Sequence, residues 1–112
     1  MRAETLKGHL DGLLLACLET GPRHGYAIIE ALRAGSGGQF DLPTGTVYPA
    51  LRRLERAGLI KGTWSAEGGR QRRVYKLTPA GHSRLTAERG TWREFSAAVT
   101  ALLEPALRPV TP

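Results

Sequence analysis

Apolar residues recur at helical spacing in separate stretches of the chain, divided by glycine, proline and charge. Leu10, Leu13, Leu14, Cys17 and Leu18 form a wide stripe, predicting a first helix over Leu6 to Glu19 that stops at Gly21-Pro22. Cys17 lies within the stripe, which marks it as a buried structural thiol. The stretch "HGYAIIEALRAG" predicts a second helix, with Ile28, Ile29 and Leu32 on its apolar side and Gly35 as its stop. A glycine-rich link, "GSGGQFDLP", follows and has room for a very short strand at Phe40 to Leu42. In "TGTVYPALRRLERAGLI", Val47, Leu51, Leu54 and Gly58 fall at i, i+4, i+7 and i+11, one face of a third helix. The period then changes. "LIKGTWS" and "RVYKLT" read as two strands around the hairpin turn Gly68-Gly69, where glycine takes positive φ without penalty. The last helix opens with Thr78 as N-cap and Pro79 at its first position, and runs to about Glu104, where Pro105, Pro109 and Pro112 forbid continuation.

Three helices, a two-stranded hairpin and a long helix define an α+β fold that is mostly α. This is a winged helix-turn-helix with a C-terminal dimerisation helix. The third helix is then the recognition helix and "EGGRQRR" the wing tip. The expected organisation is a winged body over residues 1–78, a dimerisation helix over 79–104 and a Pro-rich tail over 105–112. A chain of 112 residues fits one small domain, and so small a core gains from burial against a partner chain.

Pro49 stands inside the third helix, where proline ordinarily costs ~3 kcal/mol through a lost hydrogen bond and a clash four residues back. With Thr44 as N-cap the lost bond runs back to Gly45, in the first turn, where a missing bond costs least. On a helical wheel Gly45, Pro49, Arg52 and Arg56 point away from the apolar stripe, flanked by Thr46, Arg53 and Tyr48. Gly45 and Pro49 make a low-relief patch suited to close approach and to a thymine methyl, and the arginines beyond it suit guanine or phosphate.

Charge sharpens this picture. The net charge is +6, and the window from Thr44 to Lys76 carries all of it, with eight basic residues against Glu55 and Glu67. Elsewhere acids and bases cancel. A concentrated positive patch attracts polyanions. Thr44, Thr46, Tyr48, Pro49, Arg52, Arg53 and Arg56 on the third helix, with Arg70, Arg72 and Arg73 on the wing, are therefore the expected DNA-contacting residues. Arg52 and Arg56 are expected to read sequence, and the wing arginines to add general affinity.

The last helix carries a second pattern. Leu85, Trp92 and Val99 repeat every seven residues, beside Glu88, Phe95 and Leu102. That seam is coiled-coil-like and needs a partner. It can fold back on the first helix alone, and the stronger expectation is that it packs both on the first helix and on its copy in a second chain. Leu85, Trp92, Phe95, Val99 and Leu102 are the expected dimer interface. Trp92 and Phe95 admit two readings: interface core, since aromatic residues are common there, or the walls of a site for a planar aromatic effector.

Other chemistry finds little support. His9, His24 and His82 have no metal-ligand spacing, no serine sits in a nucleophile motif, and "GSGG" lacks the Lys-Ser/Thr of a phosphate loop. No catalytic residue, metal or cofactor is expected. His24, at the start of the second helix, is expected to cap it or to lie near phosphate. One cysteine makes no disulfide framework, no run of apolar residues spans a membrane, and no cleavable signal is visible, so the expected location is cytoplasmic.

Taken together, "HGYAIIEALR", "PTGTVYPALRRLERAGLI" and "RRVYKLTPAGHSRL" resemble the PadR-like winged-helix transcriptional regulators, in that family's order and spacing over roughly residues 8 to 104. The resemblance implies a dimeric repressor that reads a palindromic operator in double-stranded DNA and is released by a small molecule or another signal. It implies that Tyr48 and its neighbours approach the DNA. The single C-terminal helix resembles the compact branch of the family, in which a tryptophan at the place of Trp92 stacks on flat ligands. Two alternatives stand beside it: a general nucleic-acid-binding or architectural protein without operator specificity, and an interaction module whose basic face binds an acidic partner.

Overall fold

The structure is a computed structural model and describes residues 6–107. The elements in chain order are α1 (Leu10–Cys17), β1 (Arg23–His24), α2 (Gly25–Gly35), α3 (Thr44–Arg56), β2 (Ile60–Ser65), a 3-10 turn (Glu67–Gly69), β3 (Arg72–Leu77), α4 (Pro79–Leu103) and a second 3-10 turn (Pro105–Leu107). Of the expected Pro-rich tail, residues 108–112 lie outside the described residues.

Leucine, isoleucine and valine from α1, α2, α3 and β2 close one core. Leu14, Leu15, Ile28, Val47, Leu51, Leu54 and Ile60 are its most completely buried side chains. Cys17 packs against this core as the stripe predicts, and burial pushes its thiol up, with Arg23 opposing the shift.

α1 is shorter at both ends than the apolar stripe suggests. Gly8 takes φ +88°, so the backbone before His9 is not helical. Leu6 is nevertheless buried, held by a turn in which His9 N–H donates to its carbonyl at 2.8 Å. At the far end the Leu18 and Glu19 N–H groups reach back only three residues, a tightening common in last turns.

A third strand is present, but not at Phe40 to Leu42. Those residues are irregular, with Leu42 inserted into the core and Phe40 N–H donating to Ser36 Oγ at 2.8 Å. The strand is Arg23–His24, which pairs antiparallel with β3 through Arg23 opposite Tyr75 and His24 opposite Val74. The sheet order is β1-β3-β2. A two-residue polar strand has no alternation to read, and it exists because β3 offers an open edge. The hairpin itself is centred on Gly68 and Gly69, with φ of +73° and +75°, which sets Trp64 opposite Arg73 and Ser65 opposite Arg72.

The start of α3 also differs. Pro43 occupies the cap position and Thr44 is the first helical residue. Val47 N–H already bonds the Pro43 carbonyl at 3.2 Å, which draws the helix one residue earlier. Pro49 still falls early, and the carbonyl it leaves unbonded belongs to exposed Gly45, where water can serve it. α3 ends at Arg56, before Gly58, in a Schellman motif. Leu59 N–H bonds the Leu54 carbonyl and Gly58 N–H the Glu55 carbonyl, both at 3.0 Å, with Gly58 at φ +78°.

α4 begins on that same turn. Thr78 Oγ1 accepts from Gly81 N–H at 3.1 Å and donates to the Gly58 carbonyl at 2.6 Å, while Thr78 N–H donates to the Leu59 carbonyl. A Cβ at Gly81 would stand 2.0 Å from the Leu59 oxygen, so only glycine lets the helix sit so close. Further along, Arg89 forks onto both oxygens of Glu19 at 2.7 Å, holding that carboxyl below its usual range. Leu85 is buried against the body, with 3 % of its surface exposed. It therefore belongs to the chain's own core, and the expectation that it faces a partner is corrected: α1 packs against the first half of α4 and covers it.

Gly81→Ala should destabilise the fold by about 2 kcal/mol or more, the scale of a forced overpacking against unyielding backbone. Denaturant unfolding checks this. Gly90, half-buried but with open space at its Cβ, is the control helix glycine, and Gly90→Ala should be neutral or stabilising.

Candidate nucleic-acid interface

The apolar stripe of α3 is buried through Val47, Ala50, Leu51 and Leu54. Burying it turns Thr44, Gly45, Tyr48, Pro49, Arg52 and Arg56 outward, with Thr46 half-buried beside them. The hairpin rises next to this face. Between α3 and the hairpin lies an open groove of about 660 Å³, with Tyr48, Arg52, Trp64, Arg70, Arg72 and Arg73 among its lining residues.

Tyr48 is held at the groove wall by α2. Its ring lies so close to Gly25 that a Cβ there would stand 2.4 Å from Cε1. Gly25 opens α2, and His24 caps it, Nδ1 accepting from Ala27 N–H at 3.2 Å. The capping role expected for His24 is thus present. Nε2 of the same ring lies 2.9 Å from Arg72 Nη1. A neutral imidazole has one acceptor nitrogen, so His24 accepts from Ala27 or from Arg72, not from both.

The arginines divide by partner. Arg53 forms an ion pair with Asp11 and is brought to α1, away from the groove. Arg73 pairs with Glu55, which raises its already high pKa, and its guanidinium lies over the Trp64 ring, 5.6 Å from the centroid. Among the described residues Arg52, Arg56, Arg70 and Arg72 have no carboxylate partner. The groove therefore combines guanidinium groups without a carboxylate partner among the described residues with aromatic rings from both sides, Tyr48 on α3 and Trp64 on the hairpin among them.

Trp64 was legible in sequence only as a strand former. It is 67 % exposed and faces the groove. The symmetric register about Gly68-Gly69 would have paired it with Arg73. Glu55, an acid within the basic window, was equally unmarked, since its partner is eighteen residues away in sequence.

A second cluster lies on α4. Trp92 and Phe95 are each 54 % exposed, with ring centroids 6.2 Å apart. His9, at the start of α1, meets Trp92 edge-on at 5.5 Å and Phe95 at 6.4 Å. Val99 is half-buried, and Leu102 and Leu103 are exposed. The far half of α4 thus presents an apolar face that the described residues leave largely exposed. Among the described residues no group of three or more His, Cys, Asp or Glu side chains is placed to hold a metal ion, and no helix is long and apolar enough to cross a membrane.

Comparison with known proteins gives the arrangement a context. Residues 14–87 match the model of the transcriptional regulator PadR-like family. The chain is 38 % identical over 77 residues to the transcriptional regulator Rv3488 of Mycobacterium tuberculosis, an overlap of 69 % of this chain and 59 % of that protein. A PadR family transcription regulator from hypervirulent Clostridium difficile R20291 superposes with a TM-score of 0.77 at 33 % identity, over 86 % of this chain and 99 % of that one. Bacillus subtilis PadR, solved in complex with operator DNA, superposes with a TM-score of 0.64 at 25 % identity, over 70 % of this chain and 45 % of that one.

Proposed function

The chain belongs to the transcriptional regulator PadR-like family, and on that premise we propose that it is a sequence-specific, homodimeric DNA-binding repressor released by a planar aromatic effector. The observation that carries this reading is the groove between α3 and the hairpin. There Arg52, Arg70 and Arg72, which lack carboxylate partners among the described residues, converge with Tyr48 on one concave surface.

In this reading α3 enters the major groove by its N-terminal end. Exposed Gly45 and Pro49 allow close approach, Thr44, Thr46 and Tyr48 meet base edges or phosphates, and Arg52 and Arg56 supply bidentate donors. The hairpin lies along the backbone, with Arg70 and Arg72 on phosphates. A phosphate oxygen that takes Arg72 also resolves the competition at His24, which is then free to cap α2. The chain works beside DNA in the cytoplasm.

The uncovered face of α4 supports the dimer. Trp92, Phe95, Val99 and Leu102 are the residues for it, without Leu85. Two copies related by a two-fold axis bring two recognition helices to successive half-sites, about 34–36 Å apart on B-DNA. The same face supports the effector site. A flat ligand between two Trp92 rings gains offset stacking on both sides, worth ~0.5–1.5 kcal/mol per pair beyond the area it buries. It releases DNA only by favouring one spacing of the recognition helices over another. The direct seating of α4 on the end of α3 provides the lever.

Binding to a duplex selected from a random pool, compared with unselected duplex across a salt series, tests the function. Discrimination of about a thousandfold or more marks a specific regulator, and equal affinity marks an architectural binder. Arg72→Ala should weaken both duplexes alike and reduce the salt slope by ~1, while Arg52→Ala should mainly reduce discrimination.

Phe95→Glu should convert dimers to monomers, because it places a charge in an apolar seam at a cost of several kcal/mol. Light scattering at tens of micromolar reads the change, and a monomeric wild type would remove the two-fold model.

Tryptophan emission should quench when planar aromatic compounds are added. Trp92→Ala should lose that quenching and still bind the selected duplex. Quenching that persists in Trp92→Ala would move the site elsewhere.

A further inference from the structure

Glu55 is a carboxylate beside the groove, paired with Arg73, one of the four arginines that line it. One of its oxygens, Oε2, accepts from Gly62 N–H on β2 at 3.4 Å and from Arg73 Nη2 on β3. The last turn of α3 is thereby tied to both strands of the hairpin. Gly62 makes room for the tie, since a Cβ there would stand 2.7 Å from Arg73 Nε and 3.0 Å from Cζ. The guanidinium thus lies on bare backbone, held by Glu55 and stacked on the exposed ring of Trp64. The covalent path from α3 to β2 is only the turn through Ala57, Gly58 and Leu59, which leaves the tilt of the hairpin to such contacts.

We infer that Glu55 is a positioning residue, which acts through Arg73 to fix the hairpin against α3 and so presents the Trp64 ring to the DNA backbone as a direct contact. This inference rests on the proposed DNA-binding function. The ring has the chemistry for it. It is flat, largely exposed and polarised by a cation on one face, so it can pack on deoxyribose while neighbouring Arg70 and Arg72 hold phosphates.

Charge alone and positioning predict opposite signs. Removing an acid beside a polyanion-binding groove should, by Coulomb attraction alone, tighten binding to every sequence. Backbone contacts set the register in which α3 meets base edges, so loss of a positioning residue should instead weaken binding to the selected duplex while binding to random duplex holds or rises.

The experiment measures affinity for selected and random duplex with the wild type and with Glu55→Ala, Glu55→Gln, Gly62→Ala and Trp64→Phe, each first shown to be folded by its thermal melt. Glu55→Ala should reduce the ratio of selected to random affinity by roughly tenfold, the scale of one lost specific contact. Gly62→Ala should do the same from the other side, by expelling Arg73. Glu55→Gln keeps an acceptor for Gly62 and Arg73 and should recover most of the ratio. DNA should change tryptophan emission in the wild type, and Trp64→Phe should lose that change.

If the wild type discriminates and Glu55→Ala tightens both duplexes, the inference fails and the functional reading stands. If the wild type does not discriminate, the functional reading fails first. Should Glu55→Ala not fold, Glu55→Gln and Gly62→Ala decide alone: an unchanged ratio in Gly62→Ala overturns the inference, and a fall there with recovery in Glu55→Gln supports it.

Discussion

The geometry of this protein depends on the contact between the first turn of α4 and the turn that ends α3. Thr78 uses its hydroxyl twice, as cap for Gly81 N–H and as donor to the Gly58 carbonyl, while its own N–H serves Leu59. Gly58 can offer that carbonyl because its positive φ closes the Schellman motif of α3. Gly81 lets the two backbones meet without a side chain between them. The junction joins the end of α3, the start of β2, the end of β3 and the start of α4 at one place. A rotation of α4 therefore cannot be absorbed by a linker. This rigidity is what makes communication between the two ends of the chain physically reasonable under the proposed function.

The groove is organised by which arginines are already paired. Basic residues crowd one window of the sequence, yet they do different work. Arg53 reaches Asp11 and fastens α3 to α1, and Arg73 is held by Glu55 and stacked on Trp64. Ion pairs at partly exposed positions contribute little to stability, so their main effect is geometric. They orient α3 and the hairpin while leaving Arg52, Arg56, Arg70 and Arg72 unneutralised among the described residues. Counting charge gives the sign of the surface. Pairing decides which charges remain for a ligand.

α4 shows the same division along its length. Its first half is a wall of the core through Gly81 and Leu85, and Arg89 locks it to Glu19. Its second half carries Trp92, Phe95, Leu102 and Leu103 into solvent, where they remain open for a partner. The heptad pattern runs through both halves with Glu88 as its one polar position. The change of role falls where α1 stops covering the helix, near His9, whose ring touches Trp92 and Phe95.

Local physics was enough for the elements. Apolar spacing located three of the helices and the core residues on them, Thr78 as cap with Pro79 at the first position opened α4 at its observed start, and Gly68-Gly69 centred the hairpin. These signals are legible because they lie within a turn or two of one another. The outward face of α3 was legible too, since burying Val47, Leu51 and Leu54 leaves Tyr48, Arg52 and Arg56 nowhere else to point. What depended on distant residues was not legible. β1 is a strand only because β3 lies beside it, Arg53 belongs to α1 only because Asp11 is opposite, and Leu85 is core only because α1 covers it. Glu55 and Trp64 gained their places from Arg73, across the hairpin. Periodicity reports which way a side chain points from its own element. What it meets there is decided by packing, because the partner comes from another part of the chain.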